Sequence, residues 1–110
     1  MLDYIERRTS DRSRQQMTIY VTPAVFDGSY VEPLEDGENV MLAVTKDVSL
    51  RGVGFTHDEP FQADYAIVTF DLLNEDPVSL LLEVRWSNPQ RCNLYMSGGI
   101  FLGITETPDF

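Results

Sequence analysis

A chain of 110 residues with 43% apolar content makes one domain with a modest core. Its formal net charge of -10 argues against a general nucleic-acid binder, which needs a basic face. No apolar run reaches membrane-spanning length, and the lone Cys92 excludes an internal disulfide. The first residues carry acids early and lack an apolar leader segment, so no secretory signal and a cytoplasmic setting are expected.

Residues 1–14 hold Arg7, Arg8, Arg12 and Arg14 against Asp3, Glu6 and Asp11, whereas residues 15–110 hold four cations against fifteen acids. Half the cations therefore sit in one short window of an otherwise acidic protein. That window is too short for an independent helix and reads as an arm laid against the body formed by residues 15–110.

From residue 15 on, the periodicity is that of strands. Met17, Ile19 and Val21 alternate with Thr18, Tyr20 and Thr22 over residues 15–22, and Pro23 is expected to end that strand or mark its edge. Asp27-Gly28 and Glu35-Asp36-Gly37 are turn signals, with a short strand expected around Ser29 to Val31. Residues 39–48 alternate Val40, Leu42 and Val44 with Met41 and Ala43. A bend at Ser49 to Gly52 leads into Val53 to Thr56, and His57-Asp58-Glu59-Pro60 reads as a turn. Residues 64–73 place Ala66, Val68, Phe70 and Leu72 on the apolar face. Residues 79–86 place Leu80, Leu82, Val84 and Trp86 together. Residues 92–104 return, with Gly98-Gly99 predicting a bulge or tight bend. No segment sustains a helical period. The predicted fold is all-β, five to seven short strands rolled into a small barrel, because closure removes the edges.

Catalysis finds little support. His57 reads as an exposed turn residue rather than a base, and Cys92 as a small buried apolar residue in a strand rather than a nucleophile. Neither Cys/His spacing nor clustered acids suit a metal, and no phosphate-binding glycine loop is present. No enzyme, no metal and no cofactor are expected. Two polar stretches stand out instead. Arg8 and Arg12 lie four apart beside Arg7 and Arg14, and guanidinium groups fork onto phosphate, stack on flat rings, and reach the O6 and N7 acceptors of guanine. The plain alternative is a solvated, charged terminus. The second stretch is Asp47-Val48-Ser49-Leu50-Arg51-Gly52-Val53-Gly54. Asp47 and Ser49 are expected on one side of a strand end, where a carboxylate accepts from guanine N1 and N2. Gly52 permits a positive φ or the close approach of a ligand, and Arg51 adds a cation. The plain alternative here is a serine turn with a glycine.

Together the two stretches resemble the PilZ family. Glu6-Arg7-Arg8-Thr9-Ser10-Asp11-Arg12 is similar to its Arg-x-x-x-Arg arm, and Asp47-Val48-Ser49-Leu50-Arg51-Gly52 to its (Asp/Asn)-x-Ser-x-x-Gly motif. Val84-Arg85-Trp86 and the glycine-containing last strand follow in the family's order, so the likeness runs over roughly residues 6–104. It implies a six-stranded antiparallel β-barrel that is a receptor for the bacterial second messenger cyclic di-GMP. It also implies ligand-binding roles for Arg7, Arg8, Arg12, Asp47, Ser49 and Gly52, with Arg14, Arg51 and Gly54 as further candidates. A basic residue at the position of Arg7 accompanies a stacked pair of ligand molecules in this family. The expected partners are the ligand and a protein effector, with no DNA, RNA or membrane insertion. Two readings of other classes compete: a protein-interaction module of the same fold that binds no nucleotide, and a small-barrel nucleic-acid binder. The latter needs aromatic platforms on a basic face, and Tyr20, Tyr30, Tyr65 and Tyr95 sit in an acidic body.

Overall fold

The computed structural model describes residues 16–34, 40–73 and 75–108. Among these are seven strands: β1 (Thr18–Phe26), β2 (Val31–Pro33), β3 (Met41–Val48), β4 (Gly52–His57), β5 (Tyr65–Phe70), β6 (Val78–Pro89) and β7 (Tyr95–Thr105). All pairings are antiparallel. The sheet runs β2-β1-β3-β4-β7-β6-β5, and β1 also pairs with β5, so six strands close a barrel and β2 is a short addition to β1. The expected arm, residues 1–14, lies outside the described residues.

The predicted period of two builds the interior. Ile19 and Val21 of β1, Met41 and Ala43 of β3, Val53 and Phe55 of β4, Ala66 and Val68 of β5 and Leu82 of β6 form one buried cluster with Phe61. Each large side chain so buried contributes about 1.5–3 kcal/mol relative to exposure. The alternate set on β3 points outward, leaving Leu42 and Val44 exposed.

Pro23 does not end β1. It faces Ala66 of β5 and sits between the β3 partner, whose last pair is Val21 with Met41, and the β2 partner, whose first is Ala24 with Pro33. Both partners share one edge of β1, and the missing N–H falls in the gap between them. His57 is not an exposed turn residue. It ends β4 and is 2% exposed, because Phe55, Phe61 and Tyr95 pack around its ring. Nor is Cys92 buried in a strand. It is exposed in the turn from β6 to β7, where Cys92 and Asn93 both have positive φ, 61° and 59°.

Ile67 and Leu81 face away from the core cluster yet are only 3% and 5% exposed. The segment from Phe26 to Pro33 and the tail from Thr105 to Pro108 flank them. A chain of hydroxyls, Thr69 to Ser79 at 2.7 Å and Ser79 to Thr107 at 2.9 Å, pins that tail to the barrel wall.

Candidate functional site

β3 and β4 are joined by the bend that carries the motif. The Ser49 amide donates to the Gly52 carbonyl at 2.9 Å, closing a tight turn. The Ser49 hydroxyl accepts from the amides of Arg51 at 3.1 Å and Gly52 at 3.2 Å. Ser49 therefore shapes the bend as a serine turn does. Leu50 and Arg51 stand exposed at its tip. The Arg51 carbonyl accepts from the Phe101 amide at 2.7 Å, tying the bend to β7.

Gly52 does not take the positive φ that was one of its two expected uses. Among the described residues only Gly28 is a glycine with positive φ. A Cβ on Gly52 would stand 2.0 Å from the Gly99 carbonyl oxygen, so the close approach it permits is that of the β7 backbone. The pairing of Gly52 with Ile100 holds the bend against β7.

Ladder register places a row of residues on the outer wall. Asp47 pairs with Gly54, Gly54 with Gly98, and Gly98 with Trp86. The adjacent row, Val48, Val53, Gly99 and Val84, faces the core. Two bulges set this arrangement. One at Lys46 lets Asp47 face out while Val48 packs inward. The other, at Arg85 of β6, lies opposite Gly98-Gly99 and turns Trp86 to the outside; the extra residue is in β6 and not in the diglycine strand, where a bulge or bend was expected. Trp86 therefore does not share the face of Leu80, Leu82 and Val84. The two register irregularities put Asp47 and Trp86 on the outer face, with the indole lying over Gly98, so that Gly54 and Gly98 between them are buried.

The root of the arm meets this wall. The Met17 amide donates to the Thr45 Oγ1 at 2.9 Å, and the Thr45 amide donates to the Met17 carbonyl at 2.9 Å. Thr45 is two residues from Asp47, so the chain enters the barrel beside the motif. Arg7, Arg8, Arg12 and Arg14 themselves lie outside the described residues. Asp47, Ser49, Arg51, Gly52 and Gly54 are brought together on and beside the bend. Trp86, which is not among the sequence-predicted site residues, stands on the same outer row as Asp47.

Behind the wall lies a buried polar cluster. The Glu59 carbonyl only accepts, so His57 Nδ1 donates to it at 2.6 Å. Nε2 then accepts from the Ser97 hydroxyl at 2.7 Å, and the Ser97 oxygen accepts from Ser87 at 2.7 Å. Burial holds the His57 pKa below its ordinary value, against the opposing pull of the Glu59 carbonyl and the Asp58 charge. Among the described residues no group of three His, Cys, Asp or Glu side chains is placed to hold a metal.

The family model described as the PilZ domain matches residues 6–107. The chain belongs to the PilZ domain family. The match takes in the arginine arm, the bend and the Trp86 strand, and the closed six-stranded barrel is the fold expected of a PilZ domain. Neither the curated proteins nor the solved structures gave a match to the chain. Membership supports the role of a cyclic di-GMP receptor in bacterial signalling.

Proposed function

We propose that this PilZ domain binds cyclic di-GMP between its arginine arm and the outer wall of the barrel, and that ordering of the arm changes a surface read by a protein effector. The observation that carries this reading is the outward row from Asp47 to Trp86 beside the arm's root at Met17 and Thr45. Asp47 accepts from the N1 and N2 donors of one guanine, and Trp86 offers a face to a base. Ser49 keeps the bend in shape, so its contribution to affinity comes chiefly through Asp47 and the amides around it. Arg8 and Arg12 grip phosphate and the guanine O6 and N7 edge.

Chain length allows this. Arg12 is five residues before Met17 and reaches at most about 17 Å from it; Arg8, nine residues before, reaches about 30 Å. Fixing each backbone residue of the arm costs on the order of 1–2 kcal/mol. Charge-assisted hydrogen bonds contribute about 1.5–3 kcal/mol each, enough to offset that cost over a short arm. Arg7 and Arg14 bring further charge, and Arg7 serves a second, stacked ligand molecule. The effector acts in a process such as motility, surface polysaccharide or pilus control, and the setting is cytoplasmic.

The test is isothermal titration with cyclic di-GMP on the native chain, Arg8→Ala and Asp47→Ala. Dissociation constants of about 1 μM or tighter, near -8 kcal/mol, with loss in both variants are expected. Unchanged affinity in Arg8→Ala sinks the arm's role, and one ligand per chain sinks that of Arg7. No binding at all moves the domain to the class of ligand-independent interaction modules.

A further inference from the structure

On the side of the barrel formed by β5, β6 and the end of β7 lies a groove floored by Ile67 and Leu81. Its walls are the Phe26–Pro33 segment on one side and Leu102 to Pro108 on the other. The floor is shielded while the rims are open: Tyr30 is 74% exposed, Leu102 47% and Ile104 82%. Large apolar side chains left in water around a sheltered apolar floor mark a contact surface. Among the described residues, the charged groups lining the groove are Glu32 and Glu106, and none is a cation. The walls are held in place, since β2 is laddered to β1 and the tail is pinned through Thr107 and Ser79.

From this arrangement we infer that the groove is a docking site for a short segment of another protein that carries large apolar side chains flanked by lysine or arginine. Apolar anchors fill the space over Ile67 and Leu81, and the flanking cations meet Glu32, Glu106 and the face of the Tyr30 ring. A second copy of this chain is the poorer occupant. Self-association here sets acidic rims against each other in a protein of net charge -10. Anionic membrane surfaces are disfavoured by the same field. The inference stands apart from the nucleotide reading, because Asp47, Ser49 and Gly52 are not among the described residues that line the groove and its test is run without cyclic di-GMP.

The full chain, labelled with nitrogen-15, is titrated with a short blocked peptide carrying valine, leucine and phenylalanine between lysines and arginines. A second peptide has every cation replaced by glutamate. The basic peptide is expected to saturate, with amide shifts concentrated at Tyr30, Leu81, Leu102 and Ile104. The acidic one is expected to bind at least about tenfold more weakly. Ile104→Lys, at a site 82% exposed and so harmless to folding, and the pair Glu32→Lys with Glu106→Lys should each weaken the basic peptide about tenfold. Three results overturn the proposal. They are equal affinity for both peptides, shifts that map elsewhere or never saturate up to about 1 mM, or sedimentation showing a dimer that Ile104→Lys dissociates.

Discussion

The indole of Trp86 lies across Gly98, so close that a Cβ on the glycine would stand 2.4 Å from the ring's Cζ2. The same Cβ would stand 2.9 Å from the Val53 carbonyl oxygen. Gly98→Ala must therefore displace the indole. The neighbouring Gly99 is more confined, with its Cβ position 1.9 Å from the backbone oxygen of Glu83. Gly98→Ala is expected to shift the emission of the only tryptophan and to weaken cyclic di-GMP binding about tenfold, near 1.4 kcal/mol. Gly99→Ala is expected to lose about 1–3 kcal/mol of stability, since it forces strands β6 and β7 apart. Fluorescence, urea denaturation and titration of both variants check this. If Gly98→Ala binds normally with a displaced indole, Trp86 is no part of the site.

The bend supplies a second prediction. The Ser49 hydroxyl takes two amide hydrogens, those of Arg51 and Gly52, in the absence of any ligand. Ser49→Ala leaves both without that acceptor in a partly exposed turn. The expected cost is about 1 kcal/mol of folding stability, read as a lower urea midpoint without ligand. A variant with native stability and weakened binding would instead assign the hydroxyl to the ligand itself.

Much of this was legible in the sequence because a period of two fixes which residues face the core once the strands are found. Ile19, Val21, Ala66, Val68 and Leu82 alternate without interruption and are buried as expected. The expectations that failed depend on relations between strands that alternation along one strand does not contain. The bulge at Arg85 reverses the face of Trp86, and alternation counted straight through the strand puts it on the wrong side. Of the two readings of Pro23, the strand end fails and the edge position holds, because its effect depends on which edge of β1 carries a partner at that point, a non-local fact. Gly52 is recognisable as a required glycine, but the atom it avoids belongs to Gly99, far along the chain. His57 is adjacent to a turn in sequence and is enclosed by Phe55, Phe61 and Tyr95, which only the closed barrel brings together.

That enclosure makes stability depend on pH. Burial favours the neutral imidazole, so the folded pKa lies below 6.5. The unfolded chain then binds the proton more readily, and stability rises with pH through this interval. The contribution of His57 is fully favourable above the unfolded value and is lost as pH falls below 6.5 towards the folded pKa. Protonation also removes the Nε2 acceptor from Ser97, which must turn its hydroxyl away and disturb Ser87. Because the chain has a single histidine, its ring resonances report the titration without ambiguity. A ring pKa below 6.5, with urea midpoints falling on acidification less steeply in His57→Gln, is expected. A ring pKa above 6.5 would reverse the sign and refute the account.

The turn between β6 and β7 carries avoidable strain. The Leu94 amide donates to the Arg91 carbonyl at 3.2 Å around Cys92 and Asn93, both with φ near +60°. This is a hairpin turn of type I′, whose central positions suit asparagine followed by glycine. Asparagine tolerates the left-handed region, whereas cysteine has no compensating local hydrogen bond there. Cys92→Asn combined with Asn93→Gly is therefore expected to stabilise the domain by about 1 kcal/mol. Cys92→Ser serves as the control, because it removes the thiol without suiting the backbone better. It should leave the urea midpoint near that of the native chain. A gain of equal size in both variants would trace the effect to loss of the exposed thiol and not to the turn.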